Sequence, residues 1–301
     1  MTTYIKYYKT AGITFSVKSD IPITEDTFHP KFKLFEVDAP GDDNVTINHH
    51  FYVPKKLLNC LNPNKSKKVF TNEFLSVHKT NNMWIYNQKA STRFNIKYNA
   101  IVIFNDEHTK GDVYTNDLNE TSYSEEHIGS LVLFGGDHYL LANILSYRQG
   151  FLLHANGLAF NDRGILLIGK SGAGKTTLSN MLRQSGFSLV ADDRVVLQKI
   201  ESKYYLIGSW CHGSNVAVTN KKVLLEKIFF LKKSQKNKII TETSTHERLK
   251  QFSSSIVRPF GDQEKWKNIL NNMEKIVKHH FFYSIYFNLS KNICTVLKEN
   301  L

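Results

Sequence analysis

"ILLIGKSGAGKTTLSNML", residues 165–182, starts as an apolar run, breaks into glycines, a lysine and two threonines, and then resumes with apolar residues at helical spacing. Gly169, Lys170, Ser171, Gly172, Ala173, Gly174, Lys175 and Thr176 satisfy the pattern of a glycine, any four residues, glycine, lysine and Ser or Thr. A strand before this loop and a helix after it would point backbone N–H groups and the positive end of the helix at one spot, where an anion is held. Glycines are needed where a Cβ would block the approach of phosphate oxygens. The stretch predicts a nucleotide site, with Lys175 against the β- and γ-phosphates, the Thr176 hydroxyl on Mg²⁺, and Thr177 among the nucleotide-binding residues.

Such a site needs a carboxylate to hold the metal or accept a proton. "FSLVADD" offers Asp192 and Asp193 at the end of an apolar strand, with only 15 residues between Thr176 and Asp192. That spacing allows one helix and a return strand, which brings the pair back beside the loop. Consecutive strand residues point to opposite faces, so the two carboxylates are expected to do different work, one toward a substrate hydroxyl and one toward the metal. A turn cap into Arg194 is the alternative for Asp193. His154, in "FLLHANG", lies in a strand expected to pair through the turn "NDRG" with the strand leading to the loop. This pairing makes it a site candidate, although a histidine among apolar residues also serves simply as packing.

Working outward, the first 122 residues alternate apolar and polar positions in short pieces such as "GITFSVKS", "KLFEVD", "NMWIYNQ" and "RFNIKYNAIVIFN". They predict a β-rich N-terminal region over 1–122. "VPKKLLNCLN" reads as one short helix, with Leu57, Leu58 and Leu61 on a shared face. The polar stretch "HTKGDVYTNDLNETSYSEEH" marks the division from a mixed α/β region over 123–301. There "DHYLLANILSYRQG" reads as a helix with Gly150 as its left-handed cap, and "QEKWKNILNNMEKIVKHH" as an amphipathic helix. No segment is apolar for long enough to span a membrane as a helix, and the N-terminus lacks a secretory pattern, so a cytoplasmic protein is expected. Cys60, Cys211 and Cys294 have no paired spacing, which argues against disulfides and structural zinc.

The net charge of +12 raises nucleic acid as a partner. The lysines are dispersed in loop-like runs such as "NKSKK" and "KKSQKNK", without a basic helix, so a solvated surface or an acidic partner fits better.

The strand carrying His154, the loop "GKSGAGKTT" and the following "GFSLVADDRV" resemble the catalytic domain of the HPr kinase/phosphorylases and their relatives. The resemblance is firm over Gly150–Leu197 and looser through "GSWCHGSN", "KIFFLKK", "SIVRPF" and the C-terminal helix and strand. "AGITFSVKSDIPI" and "VDAPGDDNVTI" resemble the shorter relatives, associated with peptide and small-molecule phosphorylation. The resemblance implies a phosphate-loop kinase domain of the HPr kinase and phosphoenolpyruvate carboxykinase type, with His154, Asp192 and Asp193 around the transferred phosphoryl group. Thr176 and Thr177 stand where bacterial members carry Ser and Glu, and their second glycine-rich signature is absent. HPr as substrate and the reverse phosphorylase reaction are therefore not implied.

Together these readings predict an ATP- and Mg²⁺-dependent kinase acting on a serine hydroxyl of a peptide or protein, with an acidic neighbourhood favoured. Asp192 is expected to take the hydroxyl proton, Asp193 to join Thr176 on the metal, and His154 to hold Asp192 or the phosphoryl oxygens. Arg258 in "SIVRPF" is a further candidate for phosphate. A kinase of free serine or a related metabolite, and a nucleotide-binding regulator, are the alternatives. The N-terminal region could form a peptide groove, a lid or a homo-oligomer contact.

Overall fold

The alternating pieces of the first region assemble into one sheet and the apolar runs of the second into another, as seen in a computed structural model of the chain. It describes residues 2–60, 66–80, 82–93, 96–133, 135–212, 217–260, 263–288, 290 and 292–301, with the backbone alone for 58–60. One compact unit runs to Ile144 and includes Pro259 and Phe260, while the other comprises Leu145–Arg258 and Gln263–Leu301.

In the first unit the described strands follow the order Glu36–Val37, Tyr4–Thr10, Ile13–Ser19, Asn44–His50, Lys110–Tyr114, Ala100–Asn105, Met83–Gln88, Leu75–Lys79 and Lys67–Thr71. Phe15, Val17, Val45, Ile47, Val102, Phe104 and Val113 alternate into its core. "KLFEVD" is mostly not a strand. Pro30 starts a 3₁₀ helix over Pro30–Phe35, with Lys31 N–H donating to His29 Nδ1 at 3.1 Å, so only Glu36–Val37 extends. The helix Lys55–Cys60 forms and buries Leu57, while the Leu58 side chain and Leu61 lie outside the described residues, as do Phe94 and Asn95 of "RFNIKYNAIVIFN". The helix Asp137–Ser146 buries Leu140, Leu141, Ile144 and Leu145. Its exit differs from expectation: Gln149 takes the left-handed conformation at φ +50°, and Gly150 opens the next strand.

The second sheet runs Gly150–Leu153, Val195–Ile200, Lys203–Ile207, Lys222–Lys233, Arg163–Ile168, Ala155–Phe160 and Ser188–Ala191. Phe282–Phe287 adds to it by pairing with Lys222–Lys233 and Lys238–Thr241. Arg163–Ile168 and Phe282–Phe287 each pair in parallel with Lys222–Lys233, and the remaining pairs are antiparallel. Helices cover both faces. Leu158, Ile165, Leu167, Phe229, Leu231 and Ile285 face Leu178 and Leu182 of the helix Lys175–Gln184 and Ile293 and Leu297 of Asn292–Glu299. Leu166, Ile168, Ile228, Phe230 and Phe282 face Phe252 of Thr245–Ser255 and Ile269, Met273 and Ile276 of Gln263–His279. Burial on both faces explains why these strands read as near-continuous apolar runs. Among the described residues no helix is long and apolar enough to cross a membrane. Residues 213–215 of "GSWCHGSN" lie outside the described ones.

Phe252 is fully buried, edge-on to Phe151 with centroids 5.3 Å apart and to Phe282 at 6.1 Å. Phe252→Ala is expected to lower unfolding stability by about 3–5 kcal/mol, the usual cost of emptying such a position. Chemical denaturation checks it; a change below about 1 kcal/mol would mean that the helix Thr245–Ser255 does not anchor this face.

Candidate active site

The strand Arg163–Ile168 ends in the glycine loop, and the helix Lys175–Gln184 begins where the loop closes. Ala173 N–H donates to Lys170 O at 3.0 Å, and Leu178 N–H to Gly174 O at 2.9 Å, which turns the chain from strand to helix. Gly174, at φ +95°, occupies the N-cap and offers no capping side chain, so the first-turn N–H groups are left to an outside acceptor. A Cβ on Gly169 would lie 2.9 Å from Ala173 Cβ, closer than packed carbons come, and 3.2 Å from Leu231 Cβ, tighter than most contacts. Lys170, Ser171, Thr176 and Thr177 are exposed, whereas Lys175 is buried and its Nζ donates to Gly169 O at 2.9 Å. Burial lowers the Lys175 ammonium from its usual range; Asp193 opposes that, Arg194 adds to it and Asp192 opposes it.

Strand register brings the other half to this loop. "FLLHANGLAF" reads as one continuous strand, but the chain breaks it at His154, giving Gly150–Leu153 and Ala155–Phe160. The His154 N–H donates to Ser255 O at 2.6 Å, and Val257 N–H to Leu152 O at 2.8 Å, so the segment after Thr245–Ser255 takes the pairing that a continuing strand would use. Leu153 pairs with Val195, and Ala155 with Ile168. His154 thus sits between the chain that follows the aspartates and the chain that enters the glycine loop. Gly157 pairs with Ala191, which sets Asn156 beside Asp192.

Asp192 and Asp193 do not continue the strand Ser188–Ala191. Asp193 takes φ +65°, a left-handed value uncommon for a residue with a side chain, and Arg194 N–H donates to Asp192 O at 2.8 Å. The opposite-face argument from strand geometry therefore does not govern the pair; a tight turn separates them instead.

The turn joins Asp193, rather than Asp192, to His154. His154 Nε2 lies 3.1 Å from Asp193 Oδ1, Arg194 Nη1 lies 2.8 Å from His154 Nδ1, and Arg194 Nη1 also meets Asp193 Oδ2. Because arginine stays charged and only donates, His154 Nδ1 must carry the lone pair, leaving the Nε2–H to donate to Asp193. The direction of its pKa agrees: burial lowers it from the usual histidine value, Asp193 pulls it up, and Lys175 and Arg194 push it down. Asp192 is buried, and its Oδ1 accepts from Asn156 Nδ2 at 2.7 Å.

Asn156 and Arg194 were not candidates from the sequence. Asn156 is hidden in a run that reads as strand, and Arg194 follows two more conspicuous carboxylates. Arg258, which was a candidate, stacks over the Trp266 ring at 5.9 Å. Among the described residues no group of three or more His, Cys, Asp or Glu is arranged to hold a metal. Cys211 and Cys294 are buried thiols without a disulfide, and the Cys60 side chain lies outside the described residues.

Residues 147–219 match the family model of the HPr Serine kinase C-terminal domain. The solved structure of the Hpr(Ser) kinase/phosphatase from Coxiella burnetii aligns with 50% of this chain and 95% of its own, at 17% identity and a TM-score of 0.31. No curated protein matches the chain.

A neutral His154 predicts a titration midpoint below the ordinary histidine value of about 6.5. Its depressed folded pKa contributes stability that is present above that value and lost as pH falls through the folded one. NMR of the imidazole should show the Nε2–H tautomer, and Arg194→Gln should move the midpoint up. A His154 that titrates above about 6.5 in the wild-type chain contradicts this charge arrangement.

Proposed function

We propose that this chain, which belongs to the HPr kinase-like family through residues 147–219, transfers the γ-phosphoryl group of ATP to a serine hydroxyl of a peptide or protein. The observation that carries the reading is the convergence of an uncapped helix N-terminus and glycine loop with Lys175, His154, Asp192 and Asp193 in one charged cluster.

The residues fit Mg²⁺ and ATP. Left-handed glycines at 172 and 174 and the free first-turn N–H groups form a cradle for phosphate oxygens. The loop residues Gly169, Lys170, Ser171, Gly172, Ala173, Gly174, Thr176 and Thr177, with Lys175, would hold the nucleotide, and Thr176 with Asp193 would hold Mg²⁺. One carboxylate and one hydroxyl suit Mg²⁺, which takes one or two carboxylates and completes its shell with phosphate and water. When bound, the pair supplies the transferable phosphoryl group and charge neutralisation.

In this reading Asp192 accepts the serine Oγ–H proton as the hydroxyl attacks, which a neutral alcohol requires and which a positioned carboxylate performs. His154 and Arg194 hold Asp193 from its two oxygens, so that carboxylate is oriented before any ligand arrives. The buried Lys175 ammonium rests on Gly169 O, within the loop whose phosphates it would meet. The basic balance of the chain favours a serine with acidic neighbours.

Labelled ATP offered with a cell extract, and separately with free serine, tests both the reaction and the acceptor class. Label is expected in macromolecules, as an ester that survives acid and is eliminated by base. Lys175→Ala should abolish most transfer without unfolding, and Asp192→Asn should keep nucleotide but lose about 10²- to 10⁴-fold in kcat. Label confined to free serine would move the assignment to a metabolite kinase, and full transfer by Lys175→Ala would place the site elsewhere.

A further inference from the structure

Asn156 is fully buried between the two halves of the cluster, and every hydrogen-bonding atom of its amide is used. Its Nδ2 donates to Asp192 Oδ1 at 2.7 Å and to Ser179 Oγ at 2.8 Å, and its Oδ1 accepts the Asp193 N–H at 3.1 Å. The orientation of the amide is forced, since a carboxylate can only accept and a backbone N–H can only donate. Ser179 is itself buried, one turn into the helix that leaves the glycine loop. A single side chain therefore spans the phosphate-loop helix, one aspartate through its carboxylate, and the other through its backbone at the left-handed turn.

We infer that Asn156 is the positioning residue of this site: it fixes Asp192 and Asp193 relative to the loop helix, so that base and metal carboxylates keep one geometry. No other side chain of this size supplies two donors and an acceptor in one plane. Leucine would fill the space and leave Asp192, Ser179 and the Asp193 N–H without their partner. Aspartate would keep the acceptor for the Asp193 N–H but set a second carboxylate oxygen against Asp192. The inference rests on the proposed kinase reaction for its catalytic consequence, but the placement it asserts is measurable without any reaction.

The test pairs Asn156→Leu and Asn156→Asp with the wild-type chain, in three measurements. Hydrogen exchange at the Asp193 amide is expected to be slow in the wild type, at least 10-fold faster in Asn156→Leu and still slow in Asn156→Asp, with the amides of Arg163–Ile168 unchanged in both. Phosphoryl transfer should fall about 10²-fold in kcat in both variants, with KM for ATP within about threefold of the wild type, since the loop that binds phosphate is untouched. Thermal unfolding should stay cooperative, and Asn156→Asp serves if Asn156→Leu does not fold. Unchanged exchange at Asp193 in a folded Asn156→Leu overturns the inference. So does a folded variant that loses stability but keeps the wild-type kcat. If the wild-type chain transfers no phosphate while the exchange pattern holds, the kinase reading fails and the positioning stands.

Discussion

One hydrogen bond diverts the chain at the point where the site is built: the His154 N–H gives itself to Ser255 O instead of to a neighbouring strand. Without that diversion Gly150–Phe160 would run on as one strand and carry His154 along a single ladder. With it, the two short strands pair with different partners, Val195–Ile200 on one side and Arg163–Ile168 on the other. The residue at the break is left between the chain that follows the aspartates and the chain that feeds the glycine loop. The helix Thr245–Ser255, anchored by Phe252 in the core, carries the acceptor carbonyl, so distant packing holds the break in place.

Charge balance within the cluster follows from burial. Lys175 and Arg194 offset Asp192 and Asp193, and burial lowers the His154 pKa, with Asp193 opposing and Lys175 and Arg194 adding to the shift. A triphosphate adds several negative charges to a site already balanced, which is the physical reason for expecting a cation to accompany the nucleotide rather than more lysine. The left-handed Asp193 adds a second constraint. Its backbone conformation is held by Asn156 through the N–H and by His154 and Arg194 through the carboxylate, so the turn is determined from three directions.

The glycine loop could be read directly from residues 169–176 because phosphate imposes both residue type and spacing on contiguous sequence. The central strands of the second sheet were readable as apolar runs such as "GILLIG" and "KIFFLKK", but a run that is apolar throughout does not say which residue takes which face. What escaped depended on partners far along the chain. Nothing local to "FLLHANGLAF" announces a break at His154, because the competing acceptor, Ser255, is brought there by a helix about 100 residues later. Asn156 escaped for the same reason, since its value lies in Ser179 and Asp192 rather than in its neighbours. Strand alternation would set the two aspartates on opposite faces, but the chain leaves the strand at Ala191 and makes a left-handed turn instead. In the first region Pro30 fixed a helical turn locally, where alternation alone suggested a strand.

A crystal structure of the chain grown with Mg²⁺ and a non-hydrolysable ATP analogue would show whether the glycine loop and the two aspartates meet on one nucleotide. The terminal phosphates are expected on the backbone N–H groups of 169–177 with Lys175 drawn onto them, Mg²⁺ bound by Thr176 and Asp193, and Asp192 still bonded to Asn156 while facing the γ-phosphate. A nucleotide seated away from the glycine loop, or phosphates in the loop with both aspartates turned away from them, would contradict this arrangement.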